Sequence, residues 1–198
     1  MCAAALSRTC ARSRFKGGHK PWTTVQIELA KTKLTGTMRQ GFMIYLYTGL
    51  RGVDVVRLGP THIDDGGFDV MQKKTGLPVW VPIVSELAAE MATWEKRPGP
   101  FLRTATGKNY IRSTFWREFK QAIAEIPELK GATLHGLRCT AAIRLCDAGL
   151  EVPQISNIMG MTMQTIERYV RFADRKASGK AALMKLTDEQ AKRGKQAK

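Results

Sequence analysis

Hydrophobic residues recur every three to four positions along most of this chain, and that spacing predicts a mainly helical protein. Thr23 and Gln26 have the spacing of a capping box, which marks the beginning of the first helix. Farther along, Trp116, Phe119 and Ile123 are predicted to form the buried face of a longer helix. Helices are predicted from Thr23 to about Lys33, up to Thr48-Gly49, up to Gly59-Pro60, and at Ser85–Glu95, Ser113–Ile126, Leu134–Ala148, Val152–Met159 and Met163–Arg171.

The spacing changes between residues 61 and 83. Three short, β-prone segments occur there, around His62-Ile63, Phe68–Gln72 and Pro78–Ile83. They are separated by residues typical of tight turns, Asp64-Asp65-Gly66-Gly67 and Lys74-Thr75-Gly76. We therefore predict an α+β fold, in which a mainly helical domain carries a small three-stranded antiparallel sheet.

The charge balance is the most unusual feature of the composition. The 198 residues include 32 Lys and Arg against 17 Asp and Glu, a formal net charge of +15. A surface this positive repels itself, so an acidic partner is the simplest explanation, and nucleic acid is the commonest such partner. A generic basic protein without a specific partner is the alternative. No apolar run approaches the roughly 20 residues of a membrane span, so no membrane association is predicted.

The four cysteines, Cys2, Cys10, Cys139 and Cys146, indicate neither a disulfide nor a metal site. Cys139 and Cys146 lie about two turns apart on one predicted helix, which is too far for a bridge. No Cys-x-x-Cys pair or Cys/His cluster with zinc spacing occurs. We therefore predict a cytoplasmic chain, associated with the nucleoid if its partner is DNA, without a metal or another cofactor.

Four separated motifs contain residues that suit phosphate chemistry. In the first, Arg51 lies at a helix junction and Asp54 follows three residues later, where its carboxylate could orient the guanidinium. The second places Lys73 and Lys74 at the tip of a hairpin. The other two are Leu134-His135-Gly136-Leu137-Arg138, which begins an amphipathic helix, and Met159-Gly160-Met161-Thr162, which leads to Glu167-Arg168-Tyr169.

This ordered set resembles the catalytic domain of the tyrosine recombinase, or phage integrase, family. That family carries an arginine after Thr-Gly-x, a hairpin lysine, His-x-x-Arg, and Leu-Gly-His/Trp followed shortly by a tyrosine. The resemblance covers about Thr23 to Arg175. It implies a basic stub or linker at residues 1–18, a catalytic domain at 19–175 and a basic C-terminal helix or tail at 176–198. A transit peptide is the alternative for the basic start.

The resemblance implies a DNA strand-transferase that cleaves and rejoins DNA through a 3′-phosphotyrosine and requires no metal. Arg51 and Arg138 would bind the non-bridging phosphate oxygens, because guanidinium groups stay charged and match phosphate geometry. Tyr169 would be the nucleophile. Two of these residues also have an ordinary structural alternative, since Arg51 could pair with Asp54 and Tyr169 could simply pack in the core.

The resemblance implies acid–base roles for two further residues. Lys74 would protonate the leaving 5′ oxygen, and we prefer it to Lys73 because the family lysine precedes Thr-Gly here. His135 would accept the tyrosine proton or bind the phosphate, since imidazole titrates near neutral pH. The alternatives are solvated turn lysines and a helix-cap or core histidine. His19 and His62 are not selected, because neither has an arginine three residues later.

The sequence departs from the family pattern in three respects. Met161 stands where the family usually has His or Trp as a donor to the phosphate, and methionine cannot donate a hydrogen bond. Losing one hydrogen bond to a charged group would weaken transition-state binding by about 1.5–3 kcal/mol. The stretch from Gly160 to Tyr169 is about one residue shorter than the common pattern. The helical DNA-clamping domain that usually precedes the catalytic domain is expected to be missing.

The implied partner is double-stranded DNA, on which the family commonly assembles as a tetramer through its last helix. An apolar patch in the tail suits that exchange and suits a frayed basic tail equally: Ala181, Leu183, Met184 and Leu186. The predicted process is DNA recombination or integration of the kind carried by mobile elements. Three other functions stay open: an impaired integrase remnant that only binds DNA, a type IB topoisomerase-like enzyme, and a basic nucleic-acid-binding module without enzyme ancestry.

Overall fold

Helices dominate residues 19–170, the part of the chain that the computed structural model describes. The helices are α1 (Thr24–Lys33), α2 (Gly36–Thr48), α3 (Gly52–Val55), α4 (Ser85–Ala92), α5 (Arg112–Ala124), α6 (Leu134–Asp147), α7 (Val152–Met159) and α8 (Met163–Val170). Short 3-10 turns lie at Pro60–His62 and Pro127–Leu129. The predicted basic start, with Cys2 and Cys10, and the apolar patch of the predicted tail fall outside the described residues.

The three predicted strands form one antiparallel sheet in the order β1-β2-β3, and the predicted α+β class is confirmed. The strands are β1 (Ile63–Asp64), β2 (Gly67–Met71) and β3 (Pro78–Pro82). Phe68 lies opposite Val81, and Val70 lies opposite Val79. All four side chains are buried, as the alternation of a one-sided sheet requires.

Two glycines end helices where neighbouring side chains leave no room for a Cβ atom. Gly49 ends α2 with φ +58°, and a Cβ there would overlap the side chain of Met159. Gly160 ends α7 with φ +55°, and a Cβ there would overlap the amide of Gln72. Since glycine adopts this left-handed conformation readily, both helices can stop close to their neighbours. The capping box predicted at Thr23 and Gln26 is also present at the beginning of α1.

The main core is built around aromatic rings. Trp22 packs against Phe42 with ring centroids 5.5 Å apart, and Phe115 lies 5.9 Å from Phe119. The predicted inward orientation of Trp116 is wrong, because its side chain is 47% exposed. The buried stripe of α5 lies one position earlier: Phe115, Phe119 and Ile123 follow one another at the four-residue spacing of one helix face.

Helix α6 joins this core to a second, smaller one. Leu134 and Leu137 belong to the main cluster, whereas Cys139 and Ala142 pack with residues of α7 and α8. Helix α6 also packs along α2. Arg138 therefore lies where the two clusters meet.

Most of the predicted helices are confirmed to within a residue or two at each end. Two predicted helices are too long at their C-terminal ends. The helix predicted to stop at Gly59-Pro60 ends at Val55, and the helix predicted to reach Glu95 ends at Ala92. None of the helices in residues 19–170 has the length and apolar character needed to cross a membrane.

Candidate active site

An open cavity of about 870 Å³ lies among the end of α2, the β2–β3 turn, the beginning of α6 and helix α8. Seven of the eight residues that the sequence singles out line it: Arg51, Lys73, Lys74, His135, Arg138, Met161 and Tyr169. The eighth, Asp54, is buried outside the lining. Residues separated by more than a hundred positions in the chain thus meet at one surface opening.

Arg51 follows the glycine end of α2 and is held by two uncharged acceptors. Its Nη2 donates to the carbonyl oxygen of Gly160 at 2.9 Å, and its Nη1 donates to the side-chain oxygen of Gln72. The pairing with Asp54 that the sequence left open does not form. Asp54 Oδ1 instead accepts the backbone N–H of Lys73 at 2.9 Å, because the carboxylate points toward the base of the hairpin.

Gln72 contacts Arg51, and the four sequence motifs do not predict this contact. Its side chain is fully buried, and its amide nitrogen donates to the carbonyl of Met159 at 3.1 Å. Its oxygen accepts from Arg51 and from the hydroxyl of Thr75. Strand alternation could have found it, since Phe68, Val70 and Gln72 share the inward face, and a buried amide requires partners.

Arg138 is a buried cation that forms no ion pair with a carboxylate of residues 19–170. It is 7% exposed, and its Nη2 donates to the carbonyl of Met159 at 3.2 Å. Its Nε has no hydrogen-bond partner among the described residues. Burial, followed by the positive charge of Arg51, lowers the pKa of Arg138 to about 10. The group therefore stays charged at neutral pH. None of the ion pairs within residues 19–170 includes Arg51 or Arg138.

The phenol of Tyr169 and the imidazole of His135 are in direct contact. The hydroxyl oxygen lies 2.8 Å from His135 Nε2. Burial lowers the pKa of His135, and the nearby charges of His19 and Arg138 lower it further. Burial raises the pKa of Tyr169, against the lowering effect of the Arg138 cation. At neutral pH the imidazole is therefore uncharged and the phenol keeps its proton. In the tautomer that carries its hydrogen on Nδ1, Nε2 accepts a hydrogen bond from the phenol.

The loop between α7 and α8 sets the position of the tyrosine. Met161 lines the cavity, and its backbone N–H donates to the carbonyl of Ser156 at 3.2 Å. Although the segment after Gly160 is shorter than the common family pattern, the single short helix α8 carries Tyr169 to His135. The shortened spacing therefore does not remove the phenol from the cavity.

Further residues reach the cavity without having been selected from the sequence. They include His19, Arg112, Trp116, Thr162 and Thr165. Arg112 and Trp116 lie one turn apart on the exposed face of α5, and a basic and an aromatic residue at that spacing could have been noticed. Within the described part of the chain, no group of three or more His, Cys, Asp or Glu side chains is arranged to hold a metal ion.

Three solved structures illustrate the likeness to known proteins. The crystal structure of XerA recombinase has a TM-score of 0.64 and 17% identity, covering 86% of this chain and 65% of that one. The Tn1549 transposon integrase in complex with transposon right end DNA has a TM-score of 0.65 and 17% identity, covering 87% and 67%. A lambda integrase tetramer bound to a Holliday junction has a TM-score of 0.58 and 19% identity, covering 76% and 49%. This chain thus spans about half to two thirds of the proteins it resembles.

None of the curated proteins matches the chain significantly. At identities below a fifth, the structural likeness shows the fold. The family is shown by its sequence model, described as the phage integrase family, which matches residues 26–176. That match covers most of the chain and includes every residue placed around the cavity except His19. The chain belongs to the phage integrase family.

Proposed function

We propose that this chain is a DNA recombinase that cleaves and rejoins double-stranded DNA through a 3′-phosphotyrosine. The observation that carries the proposal is the 2.8 Å contact between the Tyr169 phenol and His135 Nε2, in a cavity that Arg51 and Arg138 also line. A nucleophile, a proton acceptor and two cations are the groups that attack on a phosphodiester requires.

The two arginines would bind and activate the phosphate. A phosphodiester is an anion and repels an anionic nucleophile until its charge is offset. Arg51 is oriented by an amide and a carbonyl, and Arg138 by a carbonyl, so neither cation forms an ion pair with a carboxylate of the described residues. Guanidinium groups fixed in this way also stabilise the extra negative charge of the pentavalent transition state.

Bond formation would proceed from the phenol. The Tyr169 oxygen attacks phosphorus while its proton passes to His135 Nε2, a bond forms between that oxygen and phosphorus, and the bond from phosphorus to the 5′ oxygen breaks. The products are a 3′-phosphotyrosine and a 5′-hydroxyl. Attack by a 5′-hydroxyl on the phosphotyrosine reverses the step, so rejoining requires no external energy source.

Lys74 would supply the proton that the leaving 5′ oxygen requires. It lies in the β2–β3 turn and lines the cavity, as its neighbour Lys73 does. The backbone N–H of Lys73 is held by Asp54, whereas no hydrogen bond to Lys74 occurs within the described residues. Neither ammonium group has a hydrogen-bond partner within the described residues, so the difference between the two lysines is the backbone contact that holds Lys73. That difference favours Lys74 as the residue that can move to the leaving group on DNA.

The remaining parts of the proposal concern the assembly. Residues 19–175 would be the catalytic domain, residues 1–18 a basic stub or linker, and residues 176–198 a basic helix or tail. The charge of +15 suits duplex DNA as the partner, and the lambda integrase structure on a Holliday junction is a tetramer. We propose the same assembly here, on DNA in the cytoplasm, with metal-independent chemistry.

Met161 favours a second candidate, an impaired family member that binds DNA without cleaving it. The methionine side chain lies in the cavity lining and has no hydrogen to donate to a phosphate. A type IB topoisomerase-like activity is the enzymatic rival, and relaxation of supercoiled DNA without site preference would favour it.

A covalent adduct is the decisive observation. Bound duplexes are enriched from a random-sequence pool with the Tyr169→Phe variant, nicked near the bound site, and incubated with wild-type protein and chelator. We expect a covalent protein–DNA adduct that Tyr169→Phe does not form and that Tyr47→Phe, a control in α2 outside the cavity lining, still forms. Sequence-specific binding without an adduct would favour the impaired family member, and an adduct that needs added metal would reject metal-independent cleavage.

A further inference from the structure

A histidine outside the four sequence motifs lies in the candidate site. His19 lines the same cavity as Arg51, Arg138 and Tyr169. The centroid of its ring is 4.6 Å from that of His135, and the two ring planes meet at 46°. The family pattern gives this position no role. Its approach to the site therefore needs its own explanation.

The segment around His19 is fastened to the beginning of α6. The Trp22 indole N–H donates to the Thr133 carbonyl at 2.8 Å, and the Trp22 backbone N–H donates to the Thr140 hydroxyl at 2.7 Å. The backbone carbonyl of the residue after His19 fills the space that a side chain on Gly136 would need. These contacts place the His19 ring beside the cavity by packing.

One nitrogen of His19 is engaged and the other is available. Nδ1 lies 3.1 Å from the Thr133 hydroxyl oxygen. No hydrogen bond to Nε2 occurs within residues 19–170. If the hydroxyl donates to Nδ1, the neutral ring carries its hydrogen on Nε2, and the protonated ring carries one there too. Nε2 is then a hydrogen-bond donor in both charge states.

The candidate site lacks one hydrogen-bond donor at position 161. Met161 lines the cavity at the position where the family usually has His or Trp. Its thioether can accept a weak hydrogen bond but cannot donate one. If Arg51 and Arg138 bind a phosphate, one of its oxygens therefore receives no hydrogen bond from Met161.

We propose, resting on the proposed function, that His19 Nε2 donates a hydrogen bond to a non-bridging oxygen of the scissile phosphate and takes over the contact that Met161 cannot make. The two imidazoles then have separate tasks: His135 accepts the phenol proton, and His19 contacts the phosphate. The electrostatic effect of His19 on His135 is consistent with this division, because it adds to burial in lowering the pKa of His135, and a proton acceptor must be neutral.

The test compares cleavage rates of the full chain on the nicked duplex. We expect His19→Ala to cleave about 10- to 100-fold more slowly than wild type, the loss of one hydrogen bond to a charged group. His19→Gln should recover most of the rate, since its amide N–H can lie near the position of Nε2. Met161→His should recover rate in the His19→Ala background. His62→Ala, in a 3-10 turn outside the cavity, is the matched control and should cleave at the wild-type rate.

A neutral methylphosphonate at the scissile position separates contact from packing. If His19 contacts one non-bridging oxygen, the penalty of His19→Ala should vanish for the diastereomer that lacks that oxygen and persist for the other. Equal penalties for both diastereomers, no rescue by His19→Gln or Met161→His, or wild-type cleavage by His19→Ala would overturn the inference. If His19→Ala does not fold, the cleavage rates of His19→Gln on the two diastereomers are compared instead. A wild-type chain that forms no Tyr169-dependent adduct would overturn the proposed function and this inference together, whereas a normal adduct with a silent His19 rejects this inference alone.

Discussion

Arginines lie near both ends of α2, and the fold holds them in opposite ways. Arg39, in the first turns, donates its Nε and Nη2 to the carboxylate of Glu90 at 2.8 and 2.7 Å. Arg51, just after the last turn, donates to the amide oxygen of Gln72 and the backbone carbonyl of Gly160. A carboxylate orients a guanidinium and cancels its charge, whereas an amide or carbonyl orients it and leaves the charge in place.

The pKa shifts follow the same division. The hydrogen bonds that Arg39 donates to Glu90 raise the pKa of Arg39 and lower the pKa of Glu90. Burial and the charge of Arg51 lower the pKa of Arg138 to about 10. The first region therefore stabilises its charges within the fold. The second keeps two cations together at a cost in stability, which an anionic ligand can offset.

The largest expected effect is on the rate of DNA cleavage, which should depend on Arg138 and not on Arg39. Arg138→Met should reduce the rate of DNA cleavage by about 10²- to 10³-fold, as removal of one transition-state donor does elsewhere. Its free energy of unfolding should be unchanged or higher by about 1 kcal/mol, because an unpaired buried cation is removed. Adduct formation and urea unfolding measure the two quantities.

Arg39→Met is the matched control, with the same substitution in the paired region. It should cleave at the wild-type rate and lose about 1 kcal/mol of stability, since the Arg39–Glu90 pair is only partly exposed to solvent. If both variants lost stability to the same extent and kept their activity, the distinction between the two regions would be wrong.

The residues that carry charge were accessible from the sequence, and those that orient them mostly were not. Arg51, His135, Arg138 and Tyr169 stand in motifs whose residue types and spacing suit phosphate chemistry. Their partners are backbone carbonyls such as that of Gly160, which no residue type reveals.

Sequence patterns predict which face of a helix or strand is buried, but they do not predict which distant residues that face contacts. Strand alternation predicts a buried Gln72, yet only the folded chain brings Gly160 and Met159 to it. His19 reaches the site through contacts with a helix more than a hundred residues away, and no local pattern encodes that approach. Trp116 was misassigned because a tryptophan in an apolar stripe resembles core, although an aromatic side chain can equally line an open cavity.

A carboxylate at position 72 would make the surroundings of Arg51 resemble those of Arg39, which is paired with Glu90. In Gln72→Glu the new carboxylate lies where the amide oxygen contacts Arg51, so it should pair with the guanidinium and cancel its charge. We expect cleavage to slow about 10- to 100-fold with the fold retained. Gln26→Glu changes the net charge equally in the exposed capping box of α1 and should have no effect on the rate. Equal rates for the two variants would mean that the charge of Arg51 is not used.

The cation Arg138 should also affect how the rate of cleavage depends on pH, because it lowers the pKa of His135. The pKa of His135 is lowered by burial first and then by His19 and Arg138. Neutral imidazole accepts the phenol proton, so the rate should stay constant near neutral pH and fall as pH drops through a pKa below the usual value of about 6.5. The decrease should approach about tenfold per pH unit. Single-turnover cleavage measures it, with His135→Gln as the control that loses the acidic limb. An apparent pKa above that of free imidazole would indicate a nearby carboxylate and contradict the comparison.

The smallest expected effect needs no DNA. Sulfate resembles the charge and oxygen geometry of a phosphate group, so it should bind between Arg51 and Arg138 and stabilise the fold by mass action. At ten times its dissociation constant the gain is about 1.4 kcal/mol, or about 3–5 °C in Tm for a chain of this size.

Sulfate also stabilises proteins without binding, through exclusion from their surface, so the informative quantity is the difference between variants. Gln72→Glu and Arg138→Met should lose the specific part, whereas Arg39→Met should keep it because its guanidinium lies outside the cavity. The same sulfate shift in all three would mean that two neighbouring cations without a carboxylate do not by themselves form an anion site, and that DNA contacts beyond the cavity are required to hold the phosphate.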